Sequence, residues 1–155
     1  MLTGIHHTSL TVNDLERSIA FYTSLGLEVA MRQESDSQYL KDITGFPDAH
    51  IKMAHLGLPD GGHRLELFEY VSPKGRPMRS RNCDPGNTHL AFLIDDLPSM
   101  YERLAAQGVE FVSPPVLITT GVNVGGSSVY LRDPDGFTIE LFQPKRREAP
   151  HPTGS

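Results

Sequence analysis

Two histidines and two glutamates occupy matching places in two similar parts of the sequence. His7 and His89 begin the segments HTSLTVNDLERSIAFYTSLGLEV and HLAFLIDDLPSMYERLAAQGVEF, while Glu66 and Glu140 lie in the related segments RLELFEY and TIELFQP. Two imidazoles and two carboxylates form a mixed nitrogen and oxygen donor set for a divalent ion, and two ionised glutamates balance its charge. We therefore predict a metal site whose ligands are His7, Glu66, His89 and Glu140.

Each glutamate lies in the middle of an otherwise apolar, strand-like segment. Because alternate side chains share one face of a strand, Glu66 shares its face with Phe68, and Glu140 shares its face with Phe142. A lone histidine or glutamate in a strand is usually a structural or surface residue. However, a carboxylate on a partly apolar face is unfavourable unless it is paired or bound to metal, and the matched set of four favours metal.

The elements that must position these residues repeat along the chain. A constant shift of 82 residues aligns His7 with His89, Asp14 with Asp96 and Gly26 with Gly108. Asn13 or Asp14 is suited to cap a first helix and Asp95 or Asp96 a second, and the two glycines are suited to end them. Strands are predicted after the helices at 27–33, 50–57 and 63–70, and at 110–112, 127–132 and 137–142. Each half is thus a β-α-β-β-β module.

The intervening segments divide the chain into modules. We predict a first module at 1–75, a linker rich in Pro and Gly at 76–87, a second module at 88–147 and a flexible tail at 148–155. A short helix is expected near 39–43, and a loop with an edge strand at 113–126. His6 should point to the face opposite His7, and His50, His55 and His63 have no counterparts in the second half.

Composition excludes several classes of function. The chain has 155 residues and a formal charge of −5, without the basic stripe that a nucleic-acid partner would require. We expect no membrane association, because the sequence contains neither a signal peptide nor an apolar run of about 20 residues. Cys83 is the single cysteine and forms no internal disulfide, which fits a soluble cytoplasmic protein.

Residues 4–144 resemble the vicinal oxygen chelate superfamily, which includes glyoxalase I, methylmalonyl-CoA epimerase, extradiol dioxygenases and bleomycin-type resistance proteins. The resemblance rests on IHHTSLTVNDLERSIAFYTSLGLEV, RLELFEY, NTHLAFLIDDL and LRDPDGFTIELFQP. It implies an α+β fold in which two βαβββ modules form a curved mixed sheet around one metal ion. It also implies that the four predicted ligands hold Ni, Co, Zn, Fe or Mn, within one chain or across a homodimer.

The resemblance further implies a reaction. The metal would stabilise an enediolate or enolate, while Glu140 moves a proton as general base and then acid, with Glu66 as its counterpart. This chemistry suits an epimerase, isomerase or lyase acting on a small hydroxy-ketone or an acyl-CoA, and epimerisation of a hydroxy-ketone is our first choice. The alternatives are a glyoxalase I-like enzyme, a ring-cleaving dioxygenase and a resistance protein that sequesters its ligand.

Two positions bear on the choice of substrate. Glyoxalase I enzymes of similar length carry Arg and Asn, for glutathione, where this chain has Thr11 and Tyr70, which argues against glutathione. The inserted segment 37–59 supplies further side chains, including Met53, that could line a site for a small polar or cyclic compound, and Arg32 or Arg64 could bind an anion. The predicted substrate-binding residues are Thr11, Tyr39, Phe46, His55 and Tyr70.

Overall fold

The computed structural model describes residues 1–77 and 81–146. These residues fall into two compact units, divided between Arg79 and Ser80. We refer to them as the first unit and the second unit. The tail predicted at 148–155 and residues 78–80 of the predicted linker lie outside the described residues. Among the residues that are described, no helix is long and apolar enough to cross a membrane.

The first unit contains one mixed sheet of four strands and two helices. Its elements are β1 (His7–Thr11), α1 (Leu15–Ser24), β2 (Glu28–Ser35), α2 (Gln38–Thr44), β3 (His50–Gly57) and β4 (Arg64–Ser72). The strand order is β1-β4-β3-β2, in which β1 and β4 are parallel and the other neighbours are antiparallel. The short helix predicted near 39–43 is α2.

The second unit repeats this topology. Its elements are β5 (His89–Leu93), α3 (Leu97–Ala106), β6 (Val116–Leu117), β7 (Ser127–Arg132) and β8 (Thr138–Gln143). The strand order is β5-β8-β7-β6, with β5 parallel to β8 and the other neighbours antiparallel. The predicted α+β class and the repeated β-α-β-β-β order are therefore confirmed.

Equivalent aspartates begin the two long helices. The Asp14 carboxylate accepts a hydrogen bond from the backbone N–H of Arg17 at 2.9 Å, and the Asp96 carboxylate accepts one from the backbone N–H of Ser99 at 3.1 Å. These bonds satisfy N–H groups that have no partner within the helix. The hydrogen bonds from the backbone and then the hydroxyl of Ser99 lower the pKa of Asp96 from its ordinary value.

Each of these helices is also attached to the strand that carries a predicted ligand glutamate. The backbone N–H of Leu15 donates to Glu69 Oε2 at 3.0 Å, and that of Leu97 donates to Gln143 Oε1 at 2.7 Å. Glu69 and Gln143 each lie three residues after the ligand glutamate of β4 or β8. The helices and the two glutamates are thus held in matching positions within their own units.

Apolar residues cover both faces of the first sheet, but to different extents. Helix α1 packs on the face formed by alternate residues of β3 and β4. The buried residues of this layer are Leu15, Ile19 and Tyr22 from the helix and Ala54, Leu56, Leu65 and Leu67 from the strands. On the other face, Leu40 of α2 packs against a smaller cluster that includes Phe68 and Tyr70. This second face is the one that carries Glu66.

A short turn sets the register of the last strand. Asp133 Oδ1 accepts hydrogen bonds from the backbone N–H groups of Asp135 at 2.9 Å and Phe137 at 2.7 Å. Gly136 has φ +88°, a conformation that side chains disfavour. The turn pairs Arg132 with Thr138 and therefore Tyr130 with Glu140.

The prediction of a strand at 110–112 is wrong. Residues 110–112 form only an isolated bridge, between Phe111 and Leu131, and the edge strand of the second sheet is β6. The bridge does not extend into a strand, because Pro114 and Pro115 follow after Ser113 and lack the N–H groups that a ladder requires. The edge strand expected within 113–126 is present as β6.

Candidate metal centre

The first unit brings His7 and Glu66 together on one sheet face. His7 is the first residue of β1, and Glu66 lies on the neighbouring parallel strand β4. His7 Nε2 lies 3.3 Å from Glu66 Oε2. Glu66 is only 7% exposed, so its carboxylate depends on neighbouring polar groups for stabilisation.

Two further histidines surround this pair. His55 lies directly opposite Glu66 on β3, and its Nε2 is 3.0 Å from Glu66 Oε1. His6 lies against His7, with 2.7 Å between the two Nδ1 atoms and 5.0 Å between the ring centroids. The expectation that His6 faces away from His7 is therefore wrong. His6 precedes β1, so the alternation of strand side chains does not apply to it.

The contact between His6 and His7 bears on the state of the His7 ring. Two Nδ1 atoms at 2.7 Å require a proton on one of them. If that proton is on His7, the neutral ring presents the lone pair of Nε2 towards Glu66. This is the tautomer that a metal ion would need from a histidine ligand at Nε2.

The second unit contains the corresponding pair on β5 and β8. His89 Nε2 lies 3.1 Å from Glu140 Oε2. The hydroxyl of Ser128 on β7 donates a hydrogen bond of 2.6 Å to Glu140 Oε1. Tyr130, opposite Glu140 in the sheet, lies with its ring 5.3 Å from the ring of His89. Burial and the nearby Glu140 carboxylate raise the pKa of Tyr130, so its phenol stays protonated at neutral pH.

The four predicted ligands thus form two imidazole–carboxylate pairs, one in each unit. Within residues 1–77 and 81–146, no group of three or more His, Cys, Asp or Glu side chains has the arrangement of a metal site. The pairs nevertheless have the composition that a divalent ion requires. Each presents an aromatic nitrogen and a carboxylate oxygen, on neighbouring parallel strands, at the same end of its unit's repeated topology.

The other predicted residues lie on or near α2 and β4. Tyr39 on α2 is 67% exposed, and Phe46 makes an edge contact with Tyr70 at 6.1 Å between ring centroids. Tyr70 shares the sheet face of Glu66, whereas Thr11 is exposed at the end of β1. Met53 is buried in the cluster under Leu40.

The two arginines considered as anion-binding residues differ in their surroundings. Arg32 forms an ion pair of 2.5 Å with Glu16 of α1, so its guanidinium already has an anionic partner. Arg64 is exposed and lines a shallow pocket of about 270 Å³ together with the glycine-rich turn before β4. Glu28 lines the same pocket, so the structure does not single out either arginine as an anion-binding residue.

Sequence reasoning did not identify Ser128 and Tyr130 as neighbours of Glu140. Both lie in the predicted strand 127–132, on the same face by alternation. The number of residues in the turn between Arg132 and Thr138 could have given the pairing that places them beside Glu140.

A comparison with models of protein families shows which superfamily the chain belongs to. Residues 4–141, which are most of the chain, match the model of the Glyoxalase/Bleomycin resistance protein/Dioxygenase superfamily. The chain belongs to this superfamily. The resemblance recognised in the sequence is thereby confirmed.

This superfamily member is similar to enzymes of two kinds. It is 35% identical over 146 residues to a 2-epi-5-epi-valiolone epimerase from Actinomyces, an alignment that covers 90% of this chain and 78% of the relative. It is 31% identical over 144 residues to the lactoylglutathione lyase of Salmonella typhimurium, covering 90% and 91% of the two chains. These relatives support an enzyme of the superfamily.

A solved structure supports the fold. The crystal structure of a glyoxalase family protein from Bacillus cereus superposes on this superfamily member with a TM-score of 0.84, covering 94% of this chain and 97% of that one. The two sequences are 23% identical. This likeness concerns the fold alone.

Proposed function

We propose that the protein is a metal-dependent epimerase, isomerase or lyase, and that His7, Glu66, His89 and Glu140 together hold one divalent ion. The observation that carries this proposal is the repetition of one contact in both units. In each unit a histidine Nε2 lies close to a glutamate Oε2, at 3.3 Å in one and 3.1 Å in the other. Two such pairs supply two neutral nitrogen donors and two anionic oxygen donors, which suit Ni, Co, Zn, Fe or Mn.

The ion would supply Lewis-acid chemistry, stabilising the negative charge that develops on two neighbouring substrate oxygens when a proton leaves the adjacent carbon. The chain must then provide a group that takes that proton. Glu140 is suited to this task, because its side chain is more accessible than that of Glu66, and we infer that it would loosen from the ion to take the proton. We assign Glu140 as general base and then acid, with Glu66 as its counterpart.

The preferred substrate is a small hydroxy-ketone, whose two neighbouring oxygens match this chemistry. The relative named as a 2-epi-5-epi-valiolone epimerase supports epimerisation of such a compound. Tyr70 lies on the sheet face of Glu66 and its ring contacts that of Phe46, which gives this face an apolar region beside a charged one. We propose that these two residues, with Thr11, Tyr39 and His55, contact the substrate, and that an acyl-CoA is the second possible class.

A glyoxalase I-like reaction is the second candidate, because the lactoylglutathione lyase of Salmonella typhimurium is also a relative. The same proton transfer would serve it. Thr11 and Tyr70, however, occupy the positions where we expect Arg and Asn for glutathione. We therefore expect the protein to convert a hydroxy-ketone more efficiently than a glutathione hemithioacetal.

Proton-exchange NMR tests the proposed reaction. Protein purified without chelators and reconstituted with each candidate ion is incubated in D₂O with a panel of cyclic hydroxy-ketones, acyl-CoA esters and a glutathione hemithioacetal. We expect solvent deuterium to enter the carbon beside the carbonyl of one hydroxy-ketone, and chelation to stop the exchange. Exchange only in the hemithioacetal would instead support the glyoxalase I-like candidate.

Two other candidates predict different results in the same protein. A ring-cleaving dioxygenase would consume oxygen with a catechol in the presence of Fe(II) or Mn(II), which an oxygen electrode detects. A resistance protein would bind its ligand tightly in the presence of a chelator and return it unchanged. We expect neither result.

We also propose that the protein forms a homodimer. Within the described residues, each four-stranded sheet ends in two edge strands, and exposed edges favour pairing or coverage by another chain. Light scattering coupled to size-exclusion chromatography measures the molar mass directly. A mass of about 34 kDa, twice the chain mass of 17.1 kDa, is expected.

A further inference from the structure

The two oxygens of each ligand carboxylate face different partners. Glu66 Oε2 faces His7, while Glu66 Oε1 lies 3.0 Å from His55 Nε2. Glu140 Oε2 faces His89, while Glu140 Oε1 accepts the hydrogen bond of 2.6 Å from Ser128. In both units, therefore, one oxygen lies beside a proposed ligand histidine and the other is held from the neighbouring antiparallel strand.

The backbone explains why these two residues reach the carboxylates. His55 pairs directly with Glu66 across β3 and β4, so their side chains rise from the same face of the sheet. In the second unit Tyr130 occupies the paired position, and Ser128 lies two residues before it on the same face. A serine at this diagonal position reaches Glu140 at hydrogen-bonding distance.

Burial makes these contacts important for the orientation of the carboxylates. The side chains of Glu66 and Glu140 are 9% and 19% exposed, so solvent has little access to their carboxylates. A neutral imidazole with its proton on Nε2 can donate to Glu66 Oε1, as the serine hydroxyl donates to Glu140 Oε1. Without these donors, each carboxylate loses a contact that fixes the plane of its two oxygens relative to the neighbouring histidine.

We propose that His55 and Ser128 are positioning residues that hold the carboxylates of Glu66 and of Glu140 in the orientation that presents one oxygen to the metal ion. This inference rests on the proposed function, because it assigns a role relative to the same ion. The two residues do the same task with different donors, one a ring fixed on a strand and the other a hydroxyl that rotates. Groups that orient metal ligands in this way typically change metal affinity by about 10- to 100-fold when they are removed.

Cobalt titration of the full-length protein tests the proposal. The apo protein and its His55→Leu and Ser128→Ala variants are titrated with Co(II) by calorimetry, and the visible spectrum of each cobalt-loaded protein is recorded. We expect each variant to bind Co(II) about 10- to 100-fold more weakly than the wild type, with an altered d–d spectrum. We expect His55→Gln and Ser128→Thr, which retain a donor, to restore part of the affinity.

A matched control separates this role from a general effect on the fold. His50 lies on the same strand as His55 and also contacts a carboxylate, with 2.7 Å between its Nε2 and Glu34 Oε1. His50→Leu should bind Co(II) as the wild type does, and thermal unfolding by circular dichroism confirms that each apo variant is folded. Wild-type affinity and spectrum in both His55→Leu and Ser128→Ala would overturn the inference and leave the proposed function standing. A folded wild-type protein that binds no Co(II) would overturn both.

Discussion

At the scale of single residues, Glu66 and Glu140 occupy equivalent places but have different surroundings. Glu66 is buried between the imidazoles of His7 and His55, whereas Glu140 contacts one imidazole and one hydroxyl. A group that transfers a proton must reach the substrate carbon, and the more exposed Glu140 meets this requirement better. Both carboxylates would thus hold the ion, and Glu140 would loosen from it to carry the proton.

Replacing Glu140 by glutamine tests this assignment. The amide keeps the size of the side chain but cannot take a proton, so we expect kcat to fall by about 100- to 10,000-fold. The circular dichroism spectrum should be unchanged. Glu102→Gln, on the exposed surface of α3, is the matched control and should retain wild-type kcat. Wild-type kcat in Glu140→Gln would show that another group moves the proton.

The four proposed ligands could be chosen from the sequence because the repeat marks equivalent positions. The residues that contact the other oxygen of each carboxylate could not be chosen in this way. His55 has no histidine counterpart in the second half, where Tyr130 occupies the paired position, so the repeat did not single it out. Its contact with Glu66 depends on the register of β3 against β4, which the loop between them sets.

At the scale of elements, capped helices attach to the strands that carry the glutamates. Asp14 and Asp96 begin α1 and α3, and Glu69 and Gln143 bind the first N–H group of each helix. Helix caps and the glycines that follow the helices are local signals, so the sequence predicts them well. The prediction of a strand at 110–112 was wrong, because the pairing of this segment depends on residues that are distant in the sequence. The prolines at 114 and 115 also prevent the bridge from extending.

Loss of the Asp14 cap should lower stability. In Asp14→Ala the backbone N–H of Arg17 loses its acceptor, and we expect the free energy of unfolding to fall by about 1 kcal/mol. Urea denaturation followed by circular dichroism measures this change. Asp60→Ala, in an exposed turn, is the control. Equal losses in the two variants would contradict a capping role for Asp14.

The Asp96 cap should make the free energy of unfolding decrease at low pH. The hydrogen bonds from Ser99 lower the pKa of Asp96 in the folded state below its value of about 3.8 in the unfolded chain. The ionised Asp96 therefore contributes fully to the free energy of unfolding at pH values above about 3.8. This contribution is lost as the pH falls from about 3.8 through the lower pKa that Asp96 has in the folded protein. The amide side chain of an Asp96→Asn variant can still cap the helix but does not titrate, so the stability difference between the two proteins should shrink in this range. A difference that stays constant from about pH 6 to about pH 2.5 would contradict this prediction.

At the scale of the whole molecule, the chain carries two units of the same topology, each with one imidazole–carboxylate pair. The sequence predicted this duplication because a single shift aligns the helices and the histidines. It could not predict whether the two pairs of one site belong to one chain or to two. That arrangement depends on the assembly of the units, for which the repeat gives no local signal.

Variants that lack one of the four histidine or glutamate ligands test whether the two imidazole–carboxylate pairs of one site belong to one chain or to two. We expect both His7→Ala and His89→Ala to lose the ion and the activity, because each retains only three of the four ligands. In a homodimer, mixing the two inactive variants restores about a quarter of the sites if each site uses two chains, since half of the dimers are mixed and each has one intact site. No activity returns if each site lies within one chain. Wild-type metal binding by either single variant would contradict the four-ligand proposal.

The most direct test of the central claim is the metal content of the wild-type protein. The protein is purified without chelators, and a second sample is stripped and reconstituted with Ni, Co, Zn, Fe or Mn before bound metal and protein are measured by mass spectrometry and amino-acid analysis. We predict about one tightly bound divalent ion per chain, and its loss when Glu66 and Glu140 are both replaced by glutamine. Absence of specific binding in both wild-type samples would contradict the claim that these four residues form a metal centre.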